Sequence, residues 1–349
     1  MTLTKPGYGR PLDIRNGRIE MHHGSGGRAM TQLIDELFMA ALGNAYLAQG
    51  NDGALLPEAH GRLVMATDSH VVSPLFFPGG DIGCLSVHGT INDVAMMGAK
   101  PLYLSASFIL EEGLALADLR RIVESMAKAA RAAGVPVVTG DTKVVEQGKG
   151  DGVFITTTGV GVITNDTHLS GDRARPGDTI LLSGTIGDHG MAILSRREGL
   201  AFDAPIVSDT AALHGLVATM LESGAALRVL RDPTRGGLAA TLNEIARQSG
   251  TGMLLREATI PLNPAVGAAC EFLGLDPLYV ANEGKLVAIC APEDAHHLLA
   301  VMHAHPLGAQ SAIIGEVLED PRCFVQAVTA IGGRRIVDWL SGEQLPRIC

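Results

Sequence analysis

Apolar residues at Leu33, Ile34, Leu37, Phe38 and Ala41 fall three and four positions apart, which predicts an amphipathic helix from Met30 to about Leu42. Downstream the period shortens. Residues 63–67 read as a strand ending on Asp68, 101–110 as a second strand, and 135–139 as a third that runs into Gly140 and Asp141. Residues 116–133 return to helical spacing and are stopped by Gly134 and Pro136, and 152–163 is rich in β-branched residues. A polar stretch with glycine and proline, Ser170 to Asp178, then interrupts the pattern. Past it come a strand at 179–183, helices near 188–198 and 209–223, a strand at 227–230, a helix to about Gln248, and further strand–helix alternation to Val328. The alternation predicts an α/β architecture in two domains, residues 21–169 and 170–340. Residues 1–20, polar and punctuated by Gly and Pro, predict a loose arm, and 341–349, without any apolar period, a flexible tail ending on Cys349.

Composition narrows the class. A chain of 349 residues exceeds one comfortable core, and 46% hydrophobic with 18% charged residues suits a globular interior. No apolar run reaches the length of a membrane span, and Met1 to Pro6 does not resemble a secretory signal. A net charge of −10 argues against general nucleic-acid binding, which needs clustered Lys and Arg. The five cysteines, at 84, 270, 290, 323 and 349, include no CxxC pair, so neither a disulfide framework nor a zinc ribbon is expected, and a cytoplasmic, reducing setting is. Cys270 and Cys290 sit in apolar runs and read as small core residues. Cys349 differs: on a free tail from Gly342 it could sweep ~20–25 Å at ~3.4 Å per residue, as a carrier of a covalent group requires, although chain ends also fray without purpose.

Candidate chemistry lies mainly in four aspartates: Asp52 in Asn-Asp-Gly-Ala, Asp68 in Thr-Asp-Ser-His, Asp93 in Asn-Asp-Val-Ala and Asp141 in Gly-Asp-Thr-Lys. Asp68 and Asp141 follow predicted strands, and carboxylates at strand ends can project into one crevice of a parallel-type sheet. Such a set needs cations, and magnesium shared with substrate phosphates would satisfy it. Aspartate also caps helices and turns. His23-Gly24-Ser25-Gly26-Gly27 makes a poor dinucleotide fingerprint, since no buried strand precedes it; it suits a Gly-rich flap whose amides approach phosphates. No GxxxxGK[ST] motif occurs, so nucleotide binding must use another fold than the P-loop. Asp232-Pro-Thr-Arg235-Gly-Gly is a strand-to-helix turn suited to a metal or phosphate contact from the second domain. Ser183 to Gly190 has the same form and reads equally as a phosphate contact or a plain turn. The histidines at 296, 297, 303 and 305 read as a solvated group.

These motifs, with Phe-Phe-Pro-Gly-Gly-Asp-Ile-Gly, Asn282-Glu283-Gly284 and the final Pro-Arg-Ile-Cys, occur in an order that resembles the carbamoyl dehydratase (E protein) family of NiFe-hydrogenase maturation. The aspartate series is also similar to that of aminoimidazole ribonucleotide synthetase, selenophosphate synthetase and thiamine-monophosphate kinase. The resemblance runs from about residue 20 to the end of the chain. It implies an aminoimidazole ribonucleotide synthetase-like fold and an ATP-dependent dehydratase that turns an S-carbamoyl group on Cys349 into a thiocyanate. By that implication Asp52, Asp68, Asp93 and Asp141 bind magnesium with Asp232, while Gly24, Ser25, Gly26, Gly27, Asn92 and Arg235 contact the nucleotide. Lys143 and Glu283 are alternative bases for the amide proton. The implied partners are the family's carbamoyltransferase as donor, an iron-carrying complex of two other maturation proteins as cyanide acceptor, and a second copy in a homodimer. A small-molecule kinase of the same fold that leaves Cys349 idle, and a non-catalytic scaffold, are the competing readings.

Overall fold

The structure, a computed structural model, describes Tyr8, residues 10–200, Phe202, residues 204–340, Leu345 and residues 347–349. The predicted first helix is a continuous helical stretch: α1 (Arg28–Leu33), a π-helical turn at Ile34–Phe38, and α2 (Met39–Leu42). After it come β1 (Arg62–His70), the short strands β2 (Phe76–Phe77) and β3 (Gly80–Asp81), α3 (Ile82–Met96), β4 (Lys100–Glu111), α4 (Leu116–Ala133), β5 (Val137–Val145) and β6 (Val153–Ile163). The four long strands form one sheet in the order β1-β6-β4-β5. Only β4 and β5 run parallel; β6 is antiparallel to both its neighbours. The sheet's inner face carries α3 and α4, whose Leu85, Ile91, Leu119, Ile122 and Met126 are fully buried.

Three expectations change here. The first twenty residues are not all a loose arm: Ile19 is fully buried, its N–H bonds to Leu114 O, and the Leu12 N–H bonds to Glu36 Oε2. Residues 1–7 and 9 lie outside the described residues. Asp68 and Asp141 lie within β1 and β5, not at strand ends, and the sheet is mixed, so the two do not project from the ends of parallel strands into one crevice. Helix α3 was not visible in the periodicity at all. It is buried nearly all round, so it has no polar face to mark a period of 3.6. Asp81 caps it, accepting from the Gly83 and Cys84 amides. Its glycines permit close packing: a Cβ on Gly83 would run into Ile122 O, and one on Gly89 would lie 2.9 Å from His70 Nε2.

The second domain contains β7 (Thr179–Leu182), α5 (Asp188–Glu198), α6 (His214–Glu222), β8 (Leu227–Arg231), α7 (Gly237–Ser249), β9 (Gly252–Arg256), α8 (Pro264–Leu273), β10 (Val287–Cys290), α9 (Ala295–His303), β11 (Ala312–Leu318), β12 (Val325–Val328) and β13 (Arg334–Ile336). Its seven strands are ordered β13-β12-β9-β11-β7-β10-β8, antiparallel except for β9 and β12. The helix expected from 209 begins at His214, because Asp209 is engaged in loop contacts described below. Cys270 and Cys290 are buried in the core, and all five cysteines are free thiols. Two features lock the domains together. Ala95 and Met96 at the end of α3 enter the apolar cluster of Leu213, Leu216, Leu230 and Leu286. Asn92 accepts from the Leu213 N–H at 2.7 Å and donates to Ala211 O at 3.0 Å. Among the described residues no helix is long and apolar enough to cross a membrane.

Candidate active site

Where the domains meet, acids from several elements crowd together. β1 supplies Asp68, α3 supplies Asp93, the turn after β8 supplies Asp232, and the loop before β10 supplies Glu283. Burial, with Asp232 and Asp68 as neighbours, pushes the Asp93 carboxyl up to about 7. Burial likewise takes Asp232 up to about 6, and its Oδ2 has no hydrogen-bond partner. Glu283 is 4% exposed, and burial plus the charges of Asp232, Asp209, Asp68 and Asp93 hold its carboxyl well above the usual range. Its Oε1 is also unpartnered. Unpaired buried carboxylate oxygens are costly, so a cluster of them points to a missing cationic or proton-donating ligand. His70 backs the group, with Nε2 3.3 Å from Asp68 Oδ2; burial lowers its pKa, with the Asp68 charge opposing.

Cys349 completes this cluster. The last residues add a short antiparallel bridge alongside Val72, with the Val71 N–H donating to Cys349 O at 3.0 Å and the Ser73 N–H to Arg347 O at 3.2 Å. Ile348 is 3% exposed within the first domain's core. Arg197 donates from Nε to Ser73 O and from Nη2 to Arg347 O, at 2.8 and 2.7 Å, and the Arg347 guanidinium pairs with Asp151 at 3.0 Å. The thiol is thereby held against Glu283. Burial and the Glu283 charge raise its pKa well above the ordinary value, with nearby Arg235 opposing. The tail's last three residues are therefore docked rather than loose; residues 341–344 and 346 lie outside the described residues.

Two loops brace the cluster, one through Asp209, which the sequence did not single out, the other through Asn282, which it marked only as part of a motif. Asp209 accepts the Glu283 N–H at its Oδ1 and the Gly284 N–H at its Oδ2, both at 3.1 Å, and pairs with Lys285 Nζ at 3.1 Å. Asn282 accepts the Gly187 N–H at 2.7 Å and donates to Pro233 O at 2.8 Å, tying the Glu283 loop to the Asp232 turn. Of the Ser183 to Gly190 segment, whose role the sequence left open, His189 bonds to the tail through Ile348 O. Asn92, expected near the nucleotide, is 1% exposed and spends its amide on the interdomain bonds.

The remaining sequence candidates gather elsewhere. Cross-strand partners share a face: Asp141 pairs with Ser107, which pairs with Thr156 and through it with Ser69, whereas Asp68 pairs with Thr157. Asp141 is thus on the outer face and Asp68 on the inner one, at opposite edges of the sheet, three strand spacings or ~14 Å apart at ~4.8 Å each. Lys143 pairs with Asp141 at 2.9 Å on that outer face. The Gly24–Gly27 loop lies against β5, where a Cβ on Gly24 would press on the Val144 amide at 2.8 Å. Ser25 in it is exposed, its hydroxyl donating to His22 O. Asp52 is exposed in the loop that follows Leu47, and Leu47 lines an apolar cleft between α1–α2 and the β4–β5 edge, with Met30, Ile34, Phe38, Phe108 and Thr142. Among the described residues no three His, Cys, Asp or Glu side chains are placed to hold a metal ion by themselves. His297 and His303 on α9 donate to Ser223 O and Ser311 O.

Comparison with known proteins gives this arrangement a family. The AIR synthase related protein N-terminal domain matches residues 50–163, and the AIR synthase related protein C-terminal domain matches 175–328. Carbamoyl dehydratase HypE of Cupriavidus necator is 72% identical over 346 residues, 99% of each chain. A crystal structure of hydrogenase maturation protein HypE in complex with ATP matches at a TM-score of 0.91 and 53% identity, covering 94% of this chain and 99% of that one. A HypE chain from a HypE–HypF complex matches at 0.78 and 50%, over 88% and 99%. With two domains of the AIR synthase type, a thiol docked among their facing acids, and such identity over nearly the whole length, the chain belongs to the carbamoyl dehydratase HypE family.

Proposed function

We propose that the chain performs ATP-dependent dehydration of a carbamoyl group carried on Cys349, leaving a thiocyanate on that sulfur. The observation that carries this reading is the tail: its thiol is docked against the buried Glu283, inside the acid cluster. A thiocarbamate amide does not lose its oxygen unaided. Transfer of the ATP γ-phosphoryl group to that oxygen makes it part of a phosphate leaving group; loss of both nitrogen protons then gives S–C≡N, ADP and inorganic phosphate. Glu283 suits the proton-accepting role, because the Cys349 thiol lies against its carboxyl, its Oε1 has no other partner, and burial among like charges raises its affinity for a proton.

The acids fit magnesium in kind: hard oxygens, mutually repelling, with free lone pairs at Asp232 and Glu283. Asp68, Asp93 and Asp232 are the residues to hold it, completed by phosphate oxygens. Bound there, the ion would neutralise phosphate charge during transfer. Asp52, Asp141, Lys143 and the Gly24–Gly27 loop join the same site through a second copy. The outer sheet face, with Leu63, Met65 and Ile109 66%, 73% and 40% exposed, is apolar enough to pair with its twin. A twofold axis running along the strands, between two such faces, would set one copy's β5 edge beside the other's β1. Since a relative is known in a HypE–HypF complex, we assign the loading of Cys349 to a carbamoyltransferase of that kind, in the cytoplasm, and the delivery of cyanide to an iron-carrying maturation complex.

The test is intact-peptide mass spectrometry on protein carbamoylated at Cys349. Addition of ATP and magnesium should remove the mass of one water from the Cys349 peptide, and Glu283→Gln should block that loss while retaining ATP binding. Stoichiometric ADP without any mass change at Cys349 would support a kinase acting on a free metabolite instead.

A further inference from the structure

His189 stands in the first turn of α5, fully buried, and the carbamoyl chemistry above makes no use of it. Its Nε2 lies 2.7 Å from Ile348 O, and its Nδ1 2.7 Å from Ser208 Oγ. A carbonyl only accepts, so Nε2 carries the proton and Nδ1 accepts from the serine hydroxyl. The Phe77 ring meets the imidazole edge-on at 5.5 Å and closes the remaining side. The Ile348 carbonyl belongs to the peptide that enters Cys349, while the Val71 N–H holds the Cys349 carbonyl on the far side. With both neighbours of its Cα fixed, the thiol is left with rotation about χ1 as its main freedom. Ser208 is followed by Asp209, which grips the Glu283 and Gly284 amides. One dipeptide thus references both the acid and the sulfur-bearing tail.

We infer that His189 is a positioning residue that seats the Cys349 sulfur against Glu283, with Ser208 locking the imidazole tautomer that does so. The inference rests on the dehydratase reading for its consequence and on the hydrogen bonds for its geometry. A neutral donor suits this place: a lysine or arginine would bring an unpaired charge into a fully buried pocket, at a large desolvation cost.

The experiment compares the full-length parent with His189→Leu, His189→Gln and Ser208→Ala. The first reading is the rate at which an uncharged maleimide labels Cys349, by peptide mass spectrometry, with Cys323 as internal control. The second is single-turnover conversion of the carbamoylated form with ATP and magnesium. Loss of one buried hydrogen bond should make Cys349 labelling in His189→Leu faster and conversion slower by about tenfold or more, with ATP affinity within about twofold of the parent and Cys323 unchanged. His189→Gln, whose amide can donate from the Nε2 position, should recover most of both, and Ser208→Ala should lie between. Should His189→Leu fail to fold, Ser208→Ala and His189→Gln still decide the question. Parent-like labelling and conversion in His189→Leu, or a His189→Gln no better than His189→Leu, would overturn the inference. A parent that labels slowly yet never converts would sink the dehydratase reading alone, and the labelling contrast would then decide the seating by itself.

Discussion

Single carboxyls show the chemistry most directly. The Asp93 carboxyl has an ordinary value of 3.8 and stands at about 7 in the folded protein. The folded state therefore binds that proton more tightly. Stability from this group is fully present below 3.8 and is lost as pH rises through about 7. In the absence of divalent cation, the melting temperature should fall between pH 5 and pH 8, and Asp93→Asn should flatten that fall. Magnesium with nucleotide should add more stability at pH 8 than at pH 5, since only the ionised cluster attracts it. Equal slopes for parent and Asp93→Asn in a melting series would count against the cluster as described. At this scale the sequence was informative about identity and poor about company. Asp68, Asp93, Asp232, Glu283 and Cys349 do gather, but Asp141 and Lys143 do not join them within one chain, because a register parity separates Asp141 from Asp68. Asp209 gave no warning, and Asn282 and His189 lay in segments the sequence marked without hinting at these contacts, since their roles arise from loops that meet only in the folded chain.

Among elements, the amphipathic ones were legible and the buried one was not. Helix α4 occupies the predicted 116–133, with apolar Leu119, Ile122, Val123 and Met126 inside and Gly134 in a left-handed conformation at its end. Helix α3, the carrier of Asn92 and Asp93, has two glycines and β-branched Val87, Thr90, Ile91 and Val94, a composition that local propensity disfavours. Tertiary packing supplies its stability, and the glycines are where that packing is closest. Gly83→Ala should therefore cost ~1–3 kcal/mol despite the gain in helix propensity, because the new methyl meets the Ile122 carbonyl. Urea unfolding monitored by circular dichroism reads this; an unchanged or raised midpoint would show that α3 and α4 have room to part.

For the molecule as a whole, strand–helix alternation correctly announced an α/β chain in two halves, yet it pointed to the wrong kind of sheet. Parallel strands with helical crossovers and mixed sheets with hairpins share the same local pattern, and only pairing decides between them. The tail shows a related limit. A segment of low hydrophobicity looked free, whereas Ile348, buried in the first domain's core, docks its end together with backbone bonds to Val71 and Ser73 and side-chain contacts from His189, Arg197 and Asp151. If the tail carries a group as proposed, it would leave its site by breaking a handful of hydrogen bonds and ion pairs and exposing Ile348 and Leu345. Delivery would then cost a local opening rather than the unfolding of a domain.

The separation of Asp68 and Asp141 to opposite edges and faces of one sheet has a genetic counterpart. If a complete site draws Asp68 from one subunit and Asp141 from the other, Asp68→Asn and Asp141→Asn chains are each inactive alone yet complementary when mixed. A hybrid pair carries one site with both lesions and one with neither. Random reassociation of equal amounts makes about half of all pairs hybrid, so about a quarter of parental turnover should return. Two chains with the same lesion should restore none. The signature is intersubunit complementation, and it is read from ATP-dependent conversion at Cys349 after mixing under conditions that let subunits exchange.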